Sequence, residues 1–229
     1  MGDFLERDMY LPVKRYFEER GYTVRSEVLG VDAVAVRGEE MLLLEFKKGF
    51  SMPLLYQAID RLKVSKRVYT VIPRPKRRGI LNKIIYIVKK LELGLITVDM
   101  DVSKRTVEII AEPVSAKTLD NKRSRKVLAE AVNRTFDGNS GGSVNVKLLT
   151  AFRERNIKIA CMLYKHGQMS VKELKAYGCG KETSGILSRN FYGWFYAVTK
   201  GVYFLTDGGF EEIENSMFKQ TVEFYLKDE

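Results

Sequence analysis

One histidine and two cysteines leave little room for soft-ligand or imidazole chemistry. With His166 alone, a two-histidine acid–base pair and a His-rich metal cage are both excluded. Cys161 and Cys179 lie far apart in no metal-binding spacing, so neither a disulfide framework nor a cysteine zinc site is expected. No apolar run approaches the ~18 residues of a membrane span. The N-terminus, MGDFLERDMY, is charged from its third residue and lacks an apolar signal core. These absences predict a cytoplasmic protein with no membrane partner.

The 229 residues suffice for one large domain or two small ones, and a hydrophobic content of 45% supports a real core. Lys and Arg number 39 against 29 Asp and Glu, a formal charge of +10 that points to a polyanionic partner.

The most informative stretch is GVDAVAVRGEEMLLLEFKKGF, Gly30 to Phe50. An acidic residue, Asp32, opens one strand, a tight turn follows, and the next strand ends in Glu45-Phe46-Lys47. Side chains alternate along a strand, so Glu45 and Lys47 share a face. If Gly38-Glu39 is a two-residue turn, Arg37 pairs with Glu40, and counting back sets Asp32 opposite Glu45. Directly opposed Cβ atoms lie roughly 4.5–5.5 Å apart. Moving the turn to Glu39-Glu40 sets Asp32 opposite Lys47 on the same face; an odd-length turn or a bulge would put Asp32 on the other. The rest of both strands is apolar, from Ala33 to Val36 and Met41 to Leu44, the pattern of strands covered on both faces. Two carboxylates at the end of such strands are poor candidates for ordinary surface residues.

Periodicity orders the first part as α-β-β-β-α-β, followed by more α and β. A helix with Leu5, Met9, Val13 and Tyr16 inward is interrupted at Pro12, where a kink or restart is expected, and stops at Gly21. Tyr22 to Val28 is a strand before the hairpin. Ser51 caps a helix with the stripe Met52, Leu55, Ile59 and Leu62. Val68 to Ile72 is a strand, the basic loop Arg74-Pro75-Lys76-Arg77-Arg78-Gly79 leads to a helix over Ile80 to Leu91, and Leu95 to Asp99 and Thr106 to Ala111 close the sheet. Residues 1–115 thus form one domain. Residues 116–146 are polar and basic and end in a Gly/Ser/Asn run. They read as a linker with one helix, Arg125 to Phe136, and with the run Lys122 to Lys126 in reach of phosphates or simply solvated.

Residues 147–229 are patterned differently. Helices over Lys147 to Lys165, a short one capped by Ser170, and Thr183 to Asn190 precede a hairpin of Trp194 to Thr199 and Val202 to Leu205. Three helices with a tight Gly178-Cys179-Gly180 turn before the third, then a two-stranded wing, describe a winged helix-turn-helix. Lys181, Thr183, Ser184, Ser188 and Arg189 would then face a DNA groove, with Lys200 on the wing. The segment is only mildly basic, 12 Lys and Arg against 10 Asp and Glu, so protein contact or dimerisation is the competing use.

A hairpin end of this composition suits phosphodiester hydrolysis. Mg²⁺ (or Mn²⁺) takes oxygen ligands and keeps several waters, so Asp32, Glu45 and the Phe46 carbonyl would suffice as metal ligands. A partly desolvated Lys47 would orient or deprotonate the attacking water, or neutralise developing charge. Arg61 would reach a phosphate. The bland alternative is an ion pair of Lys47 with a carboxylate.

These residues resemble the PD-(D/E)xK nuclease superfamily, whose restriction-endonuclease-like fold has an α-β-β-β-α-β core with a mixed sheet. Asp32 matches its lone aspartate, and Glu45 and Lys47 its (D/E)xK motif; Val31 stands where a proline is frequent. The resemblance implies a supporting glutamate on the first helix, which Glu6 fits, and a glutamine on the helix after the motif, which Gln57 fits. Glu27 is a further carboxylate on the preceding strand. Through LPVKRYFEERGY, QAIDRL, SRNFYGWF and KGVYFLT, the chain further resembles a bacterial family of PD-(D/E)xK phosphodiesterases with no assigned substrate. The resemblance implies a metal-dependent DNA endonuclease-like hydrolase whose winged helix positions the nucleic acid. Alternatives are a catalytically silent DNA-binding or regulatory protein working through that winged helix, and a purely protein-binding accessory. A homodimer cutting two strands stays open.

Overall fold

The computed structural model describes residues 4–100, 105–114, 121–137 and 148–227. The chain divides into two compact units, Met1–Leu148 and Leu149–Glu229.

The first unit is a mixed α/β structure around a six-stranded sheet. Its order is α1 (Arg7–Glu18), β1 (Thr23–Val28), β2 (Val31–Arg37), β3 (Glu40–Phe46), α2 (Met52–Arg61), β4 (Val68–Pro73), α3 (Arg78–Lys90), β5 (Gly94–Val98), β6 (Val107–Ala111) and α4 (Lys122–Asn133). The strands lie in chain order, antiparallel from β1 to β3, parallel from β3 to β5, and antiparallel again at β6. This is compatible with a PD-(D/E)xK core.

Topology places the helices. The parallel strands β3, β4 and β5 advance in one direction with α2 and α3 between them, so right-handed crossovers put both helices on one face. Val34, Val36, Met41, Leu43, Val68, Ile72 and Leu95 form that face's core, joined by Leu54, Leu55 and Ala58 of α2, Ile84 and Val88 of α3, and Val127 and Ala131 of α4. The opposite face, with Ala33, Ala35, Leu42, Leu44, Val71 and Ile96, packs against Met9, Tyr10, Val13 and Phe17 of α1. Burial on both faces is what the unbroken apolar runs of β2 and β3 require. The basic stretch read as a linker therefore contains a helix whose Val127 and Ala131 lie in the first unit's core.

Two helices depart from the expected pattern. α1 runs through Pro12 without a restart; Met9 and Val13, fully buried on either side, hold the helix across the missing donor. Its buried set is Met9, Tyr10, Val13 and Phe17, while Leu5 is exposed. In α2 the buried residues are Leu54, Leu55 and Ala58; Met52 and Ile59 point to solvent. Ser51 occupies the N-cap position in extended conformation but its side chain makes no cap hydrogen bond.

A polar cluster ties the segment after α4 to the sheet. Asp137 accepts hydrogen bonds from Lys14 Nζ (2.8 Å), Ser26 N (3.1 Å), Ser26 Oγ (3.0 Å), Arg134 (3.1 Å) and the Tyr10 hydroxyl. Arg134, itself fully buried, donates to the Ser26 carbonyl at 2.7 Å.

The second unit contains α5 (Ala151–His166), β7 (Met169–Ser170), α6 (Val171–Ala176), α7 (Thr183–Arg189), β8 (Phe195–Thr199), β9 (Val202–Leu205), α8 (Asp207–Glu214) and α9 (Lys219–Lys227). Its three-stranded sheet has the order β7-β9-β8. Ser170 and Glu173 form a reciprocal capping box that starts α6. Cys161 and Cys179 are both buried and free, with burial pushing their thiols up to about 12 and about 11. Among the described residues no helix is long and apolar enough to cross a membrane.

Candidate functional site

The hairpin register sets the site. Arg37 pairs with Glu40 across a two-residue Gly38-Glu39 turn, and Ala33 pairs with Leu44, so the next step along the ladder brings Asp32 opposite Glu45. Gly38 supplies the positive φ (+58°) that this turn needs at its first central position. Asp32 Oδ2 accepts from Phe46 N at 2.8 Å, which anchors its carboxylate at the end of β3. Glu45 lies on the face with Leu43, beneath α2, and is fully buried.

Both carboxyls are held above their usual range. Burial, followed by the neighbouring Asp32 charge, pushes Glu45 up to about 8, against the attraction of Arg61. Burial likewise raises Asp32, opposed by the Phe46 N–H and by the Lys47 charge. Lys47 Nζ stands 3.3 Å from Glu6 Oε2, and Lys48 N donates to Glu6 Oε1 at 3.4 Å. Glu6, just ahead of α1, thus reaches the end of β3 and holds Lys47 from the opposite face of the sheet.

α2 delivers Arg61 to the same place and carries Gln57 one turn earlier on that helix face. Leu54, Gln57, Ala58 and Arg61 follow an i, i+3, i+4, i+7 spacing, so the helix buries a stripe in which two of four positions are polar. Arg61 Nε donates to Glu45 Oε1 at 2.5 Å, and its NH2 group donates to the Gly30 carbonyl. Glu45 Oε2 and Gln57 Oε1 are buried and accept no hydrogen bond among the described residues. The apolar stripe through Met52 and Ile59 does not describe this face; the spacing of Gln57 and Arg61, one turn apart, does.

The turn that Arg61 touches is strained. Leu29 and Gly30 join β1 to β2 with φ of +50° and +82°, and Glu27 has φ +50° at the step facing Asp32. A non-glycine residue in this region costs about 1–2 kcal/mol.

The donor set fits a hard divalent cation. Among the described residues no group of three or more His, Cys, Asp or Glu side chains gathers as a cage. Mg²⁺ needs no such cage, since one or two carboxylates and retained waters satisfy it. Two adjacent carboxyls, with a Glu45 oxygen that accepts from no donor among the described residues, are what such an ion would satisfy.

In the second unit, Lys181, Ser184, Ser188, Arg189 and Lys200 are exposed. Thr183 is not: it is fully buried and its hydroxyl donates to the Gly180 carbonyl at 2.7 Å, fixing the turn into α7. Arg189 Nε is engaged with the Gly185 carbonyl at 3.0 Å. Lys200 sits in the β8–β9 connection with Gly201, whose φ is +82°.

A family profile described as "Putative PD-(D/E)XK phosphodiesterase" matches residues 96–212, slightly more than half of the chain. The matched segment runs from within β5 to within α8 and so lies C-terminal to Asp32, Glu45, Lys47, Gln57 and Arg61. Searches of curated proteins and of solved structures returned no match.

Proposed function

The chain belongs to the family described as "Putative PD-(D/E)XK phosphodiesterase", and on that premise we propose that it is a divalent-metal-dependent nuclease acting on DNA. The observation that carries this reading is the pair of adjacent carboxyls, half-buried Asp32 and fully buried Glu45, next to Lys47. Asp32 and Glu45, with the Phe46 carbonyl, would hold Mg²⁺ or Mn²⁺. Such an ion, when bound, neutralises charge on the phosphate oxygens and lowers the pKa of a coordinated water. Lys47 orients the attacking water and offsets negative charge developing on the phosphate. Glu6, at 3.3 Å from the Lys47 ammonium, fixes its direction. Gln57 presents its buried amide to the same space, and Arg61 offers a guanidinium to a phosphate once freed from Glu45.

The second unit is read as a winged helix that positions DNA. The helix pair α6–α7 with a glycine turn, followed by the β8–β9 hairpin, supports this, as does the exposure of Lys181, Ser184, Ser188, Arg189 and Lys200. The test is cleavage of plasmid and labelled duplex DNA by the full chain with Mg²⁺ or Mn²⁺. Asp32→Ala and Lys47→Ala are each expected to lower the rate by about 10²-fold or more. Unchanged activity in Lys47→Ala overturns the mechanism.

A second reading has one observation in its favour. The Arg61–Glu45 ion pair sets a permanent cation against a carboxylate that the metal would need. A nuclease-like scaffold that only binds DNA, through its second unit, would show salt-dependent binding and no cleavage with any divalent metal.

A further inference from the structure

We propose that the connection between β4 and α3 with the first residue of that helix, Arg74 to Arg78, is a phosphate clamp that holds the nucleic-acid backbone beside the carboxylate site. This rests on the nuclease reading for its purpose, though not for its test.

Position is the first argument. β3 and β4 run parallel, Phe46 pairs with Val71, and Lys47 N donates to the Val71 carbonyl at 3.0 Å. Arg74 comes three residues after Val71, about 10 Å further along the strand direction. The loop therefore leaves the sheet at the edge where β3 delivers Glu45 and Lys47. Face is the second argument. Val68 and Ile72 share a core with Leu43, so the alternation that puts Glu45 on the α2 face carries Arg74 to the same side. α3, which follows the loop, packs on that side through Ile84 and Val88.

Charge is the third. Residues 63–98 contain ten Lys and Arg against one Glu, which accounts for nine of the chain's ten net positive charges. Within the loop, Arg74 is paired with Glu108. Lys76, Arg77 and Arg78 are exposed and have no carboxylate partner among the described residues. Three adjacent, unpaired cations repel one another and are stabilised by an external anion. Pro73 and Pro75 flank Arg74 and hold the start of the loop extended, so less ordering entropy is lost there when the loop engages a partner. A polyanion with closely spaced charges is the partner this arrangement fits, and a nucleic-acid strand presents a phosphate about every 3.4 Å of rise.

The test is binding of the full chain to a labelled DNA duplex by fluorescence anisotropy, with EDTA present and salt varied. The variant Lys76→Gln/Arg77→Gln/Arg78→Gln is expected to bind at least tenfold more weakly, with the slope of log affinity against log salt reduced by about 2. Lys83→Gln/Lys89→Gln/Lys90→Gln, with the same change of charge further along α3, is expected to stay within about threefold of wild type, because its phosphate contacts are unaltered. An equal loss of affinity on an RNA duplex supports the proposal too, since the phosphates are common to both. An unchanged slope in the loop variant, equal losses in both triple variants, or no salt-dependent binding by the wild-type chain overturns it. Because no cleavage is read, an inactive wild-type enzyme sinks the nuclease reading alone.

Discussion

Arg61 Nε lies 2.5 Å from Glu45 Oε1, and the same guanidinium holds the Gly30 carbonyl of the β1–β2 turn. One side chain thus neutralises the buried carboxylate and braces the strained connection beside Asp32. Asp60, next along α2, is in turn paired with Lys63 and with Arg123 of α4. The site's charge balance in the absence of other ions runs through α2.

On the proposed nuclease reading, Arg61 and a divalent cation would compete for Glu45. Arg61→Gln is expected to bind Mn²⁺ about tenfold more tightly, equivalent to about 1.4 kcal/mol, when each protein is measured by titration calorimetry at a pH above its own Glu45 transition, which losing Arg61 moves upward from about 8. In EDTA the same variant should melt earlier, since a buried carboxylate left without its partner costs about 3 kcal/mol or more. Weaker Mn²⁺ binding would show that Arg61 supports the ion rather than excluding it.

The pH dependence of stability carries a signature of Glu45. Its folded value of about 8 lies above the ordinary 4.5, so the folded state binds a proton there more tightly than the unfolded chain. Stability contributed by this group is present below pH 4.5 and is lost as the pH rises from there through about 8. Melting temperatures of wild type and Glu45→Gln, compared across that window in EDTA, should show the variant gaining on wild type as the pH rises. Parallel curves would refute the assignment.

Asp137 works in the opposite sense. Burial alone would raise its carboxyl, but hydrogen bonds from Lys14 and Tyr10 and the Lys14 charge outweigh that and hold it below the ordinary 3.8. Its stabilisation is present above that ordinary value and disappears as the pH falls through the lowered one. Asp137→Ala is expected to cost about 3–5 kcal/mol in chemical denaturation, as for breaking a buried ion pair, and Tyr10→Phe about 1 kcal/mol. A loss below 1 kcal/mol in Asp137→Ala would show that the cluster does not hold the segment.

What the sequence made legible follows the range over which each feature is determined. The β2–β3 register could be counted because a Gly38 turn and two apolar runs define it within fifteen residues. The apolar stripe of α2 could not be placed, because hydrophobic periodicity scores the inward Gln57 and Arg61 as solvent-facing; the partners of Arg61, Glu45 of β3 and Gly30 of the β1–β2 turn, come from other elements. Thr183 looked like a groove residue by composition, whereas its short hydroxyl is used locally on Gly180. Asp137 had only Arg134 as a local partner among the described residues. Its donors Tyr10, Lys14 and Ser26 lie more than a hundred residues earlier and meet it only after the sheet has formed.

That last cluster determines where the chain can be divided. The sheet closes at Ala111, yet the side chains that clasp Asp137 belong to the first helix and the first strand. A fragment ending at β6, or even at the last turn of α4, would leave the Lys14 ammonium, the Tyr10 hydroxyl and the Ser26 amide without their common acceptor. Limited proteolysis should accordingly release an N-terminal fragment that keeps residue 137, and a separately expressed first unit has to include it to fold as it does in the whole chain.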